Sequence, residues 1–306
     1  MTGHDTNGNT PRSYRAALVV DTECTLGEGV LWCARTGQLY WTDIEGQRLF
    51  RYNPGTGERA EWRMPERLAT FAFTARAHVL LLGLASHLAF FDLATNEFTR
   101  IVEVEPGMST RLNDGKCDRQ GRFVFGTMHE ADKQQPVGGF YRLDLDLSIE
   151  RLPLPAPAIA NSIAFSPDGA TMYFCDSLTR EIRACAYGAD GSVGPSHRFA
   201  AVTDPDGDPD GSTVDAEGGL WNAHWGAGRV VRYDAAGHET ERVVVPARQP
   251  SCVALGGADL GTLYVTTARV GLDSDQLAAE PDTGGVFAAT VVRRGLPEVV
   301  FAGLPA

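Results

Sequence analysis

Short runs of apolar, β-branched or aromatic residues recur along the whole chain, and Gly, Asp, Asn or Pro interrupts each run. The clearest unit is strand, turn and strand, as in "IAFSPDGATMYFCD" at 163–176 and "STVDAEGGLWNAHW" at 212–225. No long stretch has the 3.6-residue periodicity of an amphipathic helix. The pattern therefore predicts an all-β protein built from short antiparallel strands.

The strand–turn–strand unit occurs six times, and a second strand–turn–strand follows each copy. Its turns are marked by Gly37, Ala77, Gly121, Gly169, Gly218 and Gly261, at spacings of 40 to 49 residues. Four short strands per period of this length are typical of a propeller blade, whereas a β-sandwich has no reason to repeat in this way. We predict a six-bladed β-propeller with four-stranded antiparallel blades around a central channel.

The propeller is expected to occupy residues 15–306 as a single domain. A strand near residues 17–20 is expected to complete the last blade and so close the ring. The polar, Gly- and Pro-containing residues 1–14 are predicted to be a disordered extension.

Composition excludes several classes of partner. The 306 residues carry a formal net charge of -12 with a pI near 5.0, and no basic patch is evident to bind nucleic acid or an anionic membrane. No stretch has the length of a membrane span or the pattern of a signal peptide, so we expect a cytoplasmic monomer. The six cysteines form no C-x-x-C pair, which favours buried, reduced thiols.

Polar side chains recur at one phase of the repeat, eight or nine residues before the marker turn. In a propeller this phase lies on the innermost strand of each blade, near one mouth of the channel. Four blades carry an oxygen-bearing side chain there, namely Glu28, Asn113, Asn161 and Asp210. Blades two and six carry the apolar residues Ala69 and Val253 instead.

These four side chains should converge on the channel axis. Two carboxylates facing each other in a narrow channel would repel unless a cation lay between them. Oxygen ligands with no Cys or His at these phases suit Ca²⁺, Mg²⁺ or Mn²⁺ better than a tetrahedral zinc site. Any one of the four could instead cap a strand, but four in phase favour a shared divalent ion.

The chain resembles the SMP-30/gluconolactonase family, regucalcin-like lactonases that are six-bladed propellers with a divalent metal in the channel. The resemblance rests on "LGEGVLW" at 26–32, "RLNDGKCDRQGRFVFGTM" at 111–128, "ANSIAFSPDGATMYFCDS" at 160–177 and "PDGSTVDAEGGLW" at 209–221. These motifs are highly specific in this order, and they extend the resemblance from about residue 16 to the end.

By that resemblance, the metal ligands are Glu28, Asn161 and Asp210, and Asp210 also acts as, or positions, the base for water. Arg111 and Asn113 correspond to the family's substrate-contacting pair. The implied ion is a single divalent metal: Ca²⁺, Mg²⁺, Mn²⁺, Zn²⁺ or Fe²⁺. The duplicated "DPDGDPDG" at 204–211 offers Asp206 as an alternative to Asp210, but only Asp210 keeps the spacing to the following turn.

The sequence departs from the family pattern at two positions beside these residues. Val30 stands where the family often has Pro, and Ser162 stands where Gly is common. The ends of the second strands return to the same mouth and add candidate contacts. These are Asp43, His129, Glu130, Asp176 and Trp225, of which Glu130 is predicted to bind substrate. Asp114 is interpreted as a turn former beside its glycine, and Lys116 as an ion-pair partner near the site.

The resemblance implies metal-dependent hydrolysis of a sugar lactone to its aldonic acid, with glucono-, galactono-, arabinono- and xylonolactone as candidate substrates. A divalent ion would polarise the lactone carbonyl, and Asp210 could accept the proton of the attacking water. Two alternatives remain open. One is a related propeller hydrolase of aryl or organophosphate esters, and the other is a calcium-binding propeller without catalysis.

Overall fold

Antiparallel strands of three to eight residues make up nearly all regular structure in residues 11–303, the part of the chain that the computed structural model describes. The first strands are β1 (Arg12–Arg15), β2 (Ala17–Val20), β3 (Gly27–Cys33), β4 (Gln38–Asp43), β5 (Arg48–Tyr52), β6 (Arg59–Arg63), β7 (Leu68–Phe73), β8 (Val79–Leu84), β9 (His87–Asp92) and β10 (Phe98–Glu103). Next come β11 (Thr110–Cys117), β12 (Phe123–His129), β13 (Phe140–Leu143), β14 (Ile149–Arg151), β15 (Ala160–Phe165), β16 (Thr171–Asp176), a 3-10 helix (Ser177–Thr179), β17 (Glu181–Ala186) and β18 (His197–Ala201). The last are β19 (Asp208–Val214), β20 (Leu220–Trp225), β21 (Arg229–Tyr233), β22 (Glu239–Val244), β23 (Pro250–Gly256), β24 (Thr262–Thr267), the helix α1 (Ser274–Ala279) and β25 (Val286–Thr290).

The strands form six sheets, which are the six predicted blades. Blades one to four are β3–β6, β7–β10, β11–β14 and β15–β18, and blade five is β19–β22. Blade six contains β23, β24 and β25, and its outer strand is β2 from the other end of the chain. The predicted fold and the predicted ring closure by residues 17–20 are therefore both confirmed.

An additional strand lies at the edge of blade five. Strand β1 pairs in parallel with β22, and the Tyr14 hydroxyl donates to Glu241 at 2.7 Å. Regular structure thus begins at Arg12, within the extension predicted to be disordered, because β22 offers this segment an unpaired edge. Residues 1–10 lie outside the described residues, and the prediction for them stays a prediction.

The hydrophobic core is divided into six layers, each between two neighbouring blades. Trp221 of blade five, for example, packs in one layer with Phe287 of blade six, and Trp41 of blade one packs with Tyr264 of blade six. All six cysteines are buried thiols without disulfides, as the sequence predicted. None of the helices within residues 11–303 has the length and apolarity to cross a membrane.

The C-terminal segment crosses the turn-side end of the channel. Its backbone amides donate to the Phe73 carbonyl from Phe301 at 2.7 Å and to the Gly121 carbonyl from Ala302 at 3.0 Å. Glu298 on this segment pairs with Lys116 of β11 at 3.4 Å, so the predicted ion pair forms, but at the end of the channel opposite the predicted site. The space left here is about 30 Å³, roughly one water molecule. This space is too small for a sugar-sized ligand.

His224 is buried in β20, and is neither a solvated loop residue nor part of the channel. It is 4% exposed, and its Nε2 lies 3.1 Å from the Tyr233 hydroxyl. Burial, with Arg229 nearby, lowers the pKa of His224 to about 3. The unfolded chain therefore binds a proton that the folded chain does not bind, and stability falls as pH falls from about 6.5 towards 3.

We expect wild-type protein to lose about 2 kcal/mol more unfolding free energy between pH 7 and pH 5 than the variant His224→Gln, which has no titrating ring. Urea unfolding at the two pH values measures this difference. His197→Gln, at an exposed position, is the control and should behave as the wild type does. An equal pH-dependent loss in His224→Gln and wild type would contradict the assignment.

Candidate metal centre

Each of the six innermost strands has a bulge at the same level of the channel. The register against the second strand shifts between Glu28 and Leu31 in β3, Leu68 and Thr70 in β7, Leu112 and Gly115 in β11, Asn161 and Ala164 in β15, Pro209 and Ser212 in β19, and Pro250 and Val253 in β23. Bulges redirect side chains out of the regular alternation of a strand. The positions eight or nine residues before each marker turn therefore lie at the level of these bulges.

Two bulges require a left-handed residue directly after a predicted ligand. Gly29 follows Glu28 with φ 58°, a conformation in which glycine has no Cβ to clash. Ser162 follows Asn161 with φ 61°, which explains why glycine is common at this family position. The Ser162 hydroxyl compensates by donating to the Asp210 carbonyl at 2.6 Å and by accepting from Asn222 Nδ2 at 2.9 Å.

A cavity of about 430 Å³ opens at this end of the channel and brings together most of the predicted site. The predicted residues that line it are Glu28, Arg111, Asn113, Asn161, Asp210 and Trp225. Asp206, the alternative to Asp210, is exposed in the preceding loop, whereas Asp210 is 6% exposed within β19. The geometry therefore supports the choice of Asp210.

The carboxylates in the channel are buried, and they lie close enough to one another to interact electrostatically. Burial raises the pKa of Glu28 to about 8, and the neighbouring Asp114 carboxylate adds to this shift. Burial also raises the pKa of Asp210 well above its usual range, with further contributions from Glu28 and Asp114. Arg111 offsets part of the shift of Glu28, and Lys116 offsets part of the shift of Asp114. A divalent cation between the carboxylates would stabilise their charged forms further.

Asp114 is a site residue that the sequence interpretation missed. It lies within β11 rather than in a turn, and its Oδ2 accepts the Ile163 amide of the next blade at 2.8 Å. Its Oδ1 accepts the Gly115 amide at 2.8 Å. The interpretation as a turn former is wrong because the glycine that follows belongs to a bulge. The adjacent polar pair Asn113–Asp114 was the available signal, since a bulge can turn two successive side chains towards the channel.

The residue at the predicted phase of blade six is Cys252 and not Val253. In the turn of blade six, Leu260 has φ 56° and takes the left-handed conformation that Gly121, Gly169 and Gly218 take in their own turns. Counting back eight residues from Leu260, and not from Gly261, gives Cys252. Val253 is fully buried between blades. A thiol is therefore present at this level, contrary to expectation. Burial, together with Glu28, raises the pKa of the Cys252 thiol well above its ordinary value, so the sulfur stays protonated.

Arg111 and Asn113 form a connected pair beside Asn161. Arg111 is 5% exposed, and its Nη1 donates to the Leu112 carbonyl at 2.8 Å and to Asn113 Oδ1 at 2.7 Å. Asn113 Nδ2 donates to the Ala160 carbonyl at 2.9 Å and to Asn161 Oδ1 at 3.2 Å. Burial and the nearby Arg67 lower the pKa of Arg111 to about 10, so the guanidinium remains cationic at neutral pH.

Glu130 is not among the residues that line the cavity. Its carboxylate pairs with Arg67 at 2.5 Å on the rim, and this ion pair holds it away from the channel. Glu45 lies 3.5 Å from the same arginine and lines the cavity in its place. Substrate binding by Glu130 therefore stays a prediction, and Glu45 is the acidic residue of the rim that lines the cavity. No local pattern signals this arrangement, because Arg67, Glu45 and Glu130 come from three different blades.

Asp43 and Asp176 support the site without entering it. Each ends the second strand of its blade and accepts backbone amides from the segment that leads into the first strand. Asp43 Oδ1 accepts the Leu26 amide at 3.0 Å, and Asp176 Oδ1 accepts the Ile159 amide at 3.1 Å. These bonds hold the start of β3 and β15, which carry Glu28 and Asn161. Both aspartates therefore bind loop backbone at strand ends, and neither is among the residues that line the cavity.

The donor set fits a hard divalent ion. Two carboxylates and an amide oxygen are the ligand types that Ca²⁺, Mg²⁺ and Mn²⁺ prefer. Within residues 11–303 no cluster of three or more His, Cys, Asp or Glu side chains could hold a metal ion. The predicted set does not form such a cluster because its third member is the amide of Asn161.

The sequence of this chain matches a known protein family. The sequence model of the SMP-30/gluconolactonase/LRE-like region matches residues 26–269. L-arabinolactonase of Azospirillum brasilense is 59% identical over 292 residues, which cover 95% of this chain and 97% of that protein. Pentonolactonase XacC of Haloferax volcanii is 37% identical and covers 92% of this chain and 96% of its own length.

A solved structure shows the same architecture. The crystal structure of regucalcin from Agrobacterium tumefaciens, described as a calcium-binding protein, superimposes with a TM-score of 0.90. It is 30% identical in sequence, and the match covers 95% of this chain and 99% of that one.

Proposed function

The chain belongs to the SMP-30/gluconolactonase/LRE-like family, and we propose that it is a metal-dependent lactonase that opens a five-carbon sugar lactone. Its high identity to an L-arabinolactonase makes L-arabinolactone the first candidate substrate. The observation that carries the proposal is the convergence of Glu28, Asn161, Asp210 and Arg111 on one cavity, although they come from four different blades.

Glu28, Asn161 and Asp210 would hold the ion. A bound divalent ion supplies a Lewis acid for the lactone carbonyl and for the attacking water. Glu28 and Asp210 provide two negative charges against the two positive charges of the ion, and Asn161 adds a neutral oxygen. Hard oxygen ligands favour Ca²⁺, Mg²⁺ or Mn²⁺ as the occupant.

Asp210 is the proposed general base. A carboxylate has two oxygens, so one can serve as ligand while the other accepts a proton from water. A divalent ion bound beside Asp210 would favour the charged form of its carboxylate, and a charged carboxylate within hydrogen-bond reach of the water can accept its proton. The Asp210 backbone carbonyl accepts from Ser162 and Asn222, which fixes the position of this residue in the channel.

In the proposed reaction the water oxygen forms a bond to the carbonyl carbon, and the bond from that carbon to the ring oxygen breaks. The ring oxygen leaves as an alkoxide and takes up a proton. The proton that Asp210 accepted from water is available for this transfer. One water is consumed, and the product is the open-chain aldonic acid.

Arg111 is the proposed contact for the oxygen atoms of substrate and product. Its cation is buried at the wall of the cavity, where the low dielectric strengthens hydrogen bonds to a carboxylate or hydroxyl. Only its Nη1 has protein partners within residues 11–303, so the rest of the fork can face the ligand. Asn113 donates both amide hydrogens, to the Ala160 carbonyl and to Asn161 Oδ1. Its own oxygen accepts from Arg111 and has a second lone pair that can accept a substrate hydroxyl.

The rim of the cavity gives one reason to keep the aryl ester alternative. Six apolar residues surround the polar floor: Leu26, Met128, Ile159, Leu178, Trp225 and Val270. A rim of this kind can also contact an aromatic leaving group. The lining contains no histidine, a residue that would favour the organophosphate hydrolase alternative.

A pH-stat assay of a substrate panel tests the proposal. The panel contains L-arabinono-, D-xylono-, D-galactono- and D-gluconolactone, with phenyl acetate and paraoxon as alternatives. We expect the highest kcat/KM for a pentonolactone, because the relatives that are 59% and 37% identical to this chain are named for such lactones.

Preferred turnover of phenyl acetate or paraoxon would favour the ester hydrolase instead. Calcium binding without turnover of any panel member would favour the non-catalytic propeller.

A further inference from the structure

Ser177 connects two of the proposed ligand strands. It lies at the start of the 3-10 helix after β16, is 6% exposed, and lines the cavity beside Asn161. Asn161 Nδ2 donates to its hydroxyl at 2.9 Å, and the hydroxyl donates to the Pro209 carbonyl at 2.8 Å. Pro209 directly precedes Asp210. One hydroxyl therefore joins the side chain of one proposed ligand to the backbone beside another.

These two hydrogen bonds belong to a longer series of hydrogen bonds, and the groups at its two ends fix which atom donates in each bond. The series begins at the Arg111 guanidinium, which can only donate, and it ends at the Pro209 carbonyl, which can only accept. Between them Asn113 donates to Asn161, and Asn161 donates to Ser177.

Each amide in the series is thereby restricted to one of its two orientations. Because the Ser177 hydroxyl has one hydrogen and gives it to Pro209, it can only accept from Asn161. The nitrogen of Asn161 must then face Ser177, and its oxygen must face Asn113 and the channel.

We propose that Ser177 is a positioning residue that keeps the amide oxygen of Asn161 directed at the metal site. An amide that rotates by half a turn would present NH₂ to the cation, which is repulsive. Residues of this kind, which orient a metal ligand from behind, typically change metal affinity by about 10- to 100-fold when they are removed. The inference rests on the metal centre of the proposed function.

Metal titration of Ser177 variants tests the role. Mn²⁺ binding, followed by the electron paramagnetic resonance signal of the unbound ion, should be about 10- to 100-fold weaker in Ser177→Ala than in wild type. Ser177→Thr keeps the hydroxyl and should recover most of the affinity. Ser166→Ala is the matched control, because this buried hydroxyl bonds only within the turn of Asp168 and Thr171, away from the cavity.

A double-mutant cycle separates orientation from general structure. Asn161→Asp replaces the amide by a carboxylate whose two oxygens are equivalent, so rotation no longer matters. We expect Ser177→Ala to weaken Mn²⁺ binding by less than about threefold in this background. Urea unfolding of the metal-free variants should show that Ser177→Ala costs no more stability than Ser166→Ala.

Three results would overturn the inference. Wild-type affinity in Ser177→Ala would show that the hydroxyl is not needed for binding. An equal loss in both backgrounds would show that Ser177 does not act through the orientation of the amide. Failure of the wild-type chain to bind any of Mn²⁺, Ca²⁺ and Mg²⁺ would remove the metal centre itself, and with it the proposed function, whereas the first two results leave that function intact.

Discussion

Replacing Asp210 with asparagine is expected to lower kcat/KM for lactone hydrolysis by about a thousandfold or more. The substitution removes the proposed base and one charged ligand at once, and general base catalysis alone contributes about 10²- to 10⁴-fold. The side-chain shape is retained, and the Asp210 carbonyl still accepts from Ser162 and Asn222. The fold should therefore survive, and pH-stat assays with circular dichroism measure both properties.

Asp206→Asn is the control for this experiment. Asp206 belongs to the same duplicated motif but is exposed in the loop before β19, so its loss should leave activity near the wild-type level. The ligand assignment fails if Asp210→Asn keeps full activity. It also fails if Asp206→Asn is the more damaging of the two substitutions.

Removal of the divalent ion by chelation is expected to reduce turnover at least about 100-fold. The Lewis acid contributes several kcal/mol to the transition state, and each 1.36 kcal/mol is about tenfold in rate. Resupply of Ca²⁺, Mg²⁺ or Mn²⁺ should restore activity, because the site offers two carboxylates and an amide oxygen. Metal content by mass spectrometry and turnover by pH-stat assay are measured on the same samples.

The stripped protein should remain folded, since the six apolar layers between the blades do not involve the metal site. Thermal unfolding followed by circular dichroism checks this point. Turnover that persists after verified removal of metal would contradict the mechanism. Loss of activity that accompanies unfolding would instead assign the metal a structural role.

Much of the fold could be predicted from local pattern. Alternating apolar residues and turn glycines specify each strand pair within one stretch of chain, so neither signal requires knowledge of distant residues. The repeat period then specified six blades, and the third and fourth blades carried Asn113 and Asn161 at the expected level of the channel. Ring closure by β2 followed from the missing outer strand of blade six.

Counting along the chain failed where local geometry shifted the register. Leu260 takes the left-handed conformation without being glycine, so the count in blade six reached Val253 instead of Cys252. The bulge in β11 turned Asp114 towards the channel, although its neighbouring glycine resembled a turn. Both errors arise because a bulge or a left-handed residue changes the direction of a side chain without changing the composition of the segment.

Local sequence specified the strands, the blades and the chemical types at the channel mouth, because these depend on residues close together in the chain. Tertiary structure alone decided which groups work together. It paired Glu130 with Arg67 and left Glu45 in the cavity, and it placed the Ser177 hydroxyl between Asn161 and Pro209. Such contacts join separate blades, and their hydrogen-bond directions are set only when all partners are in place.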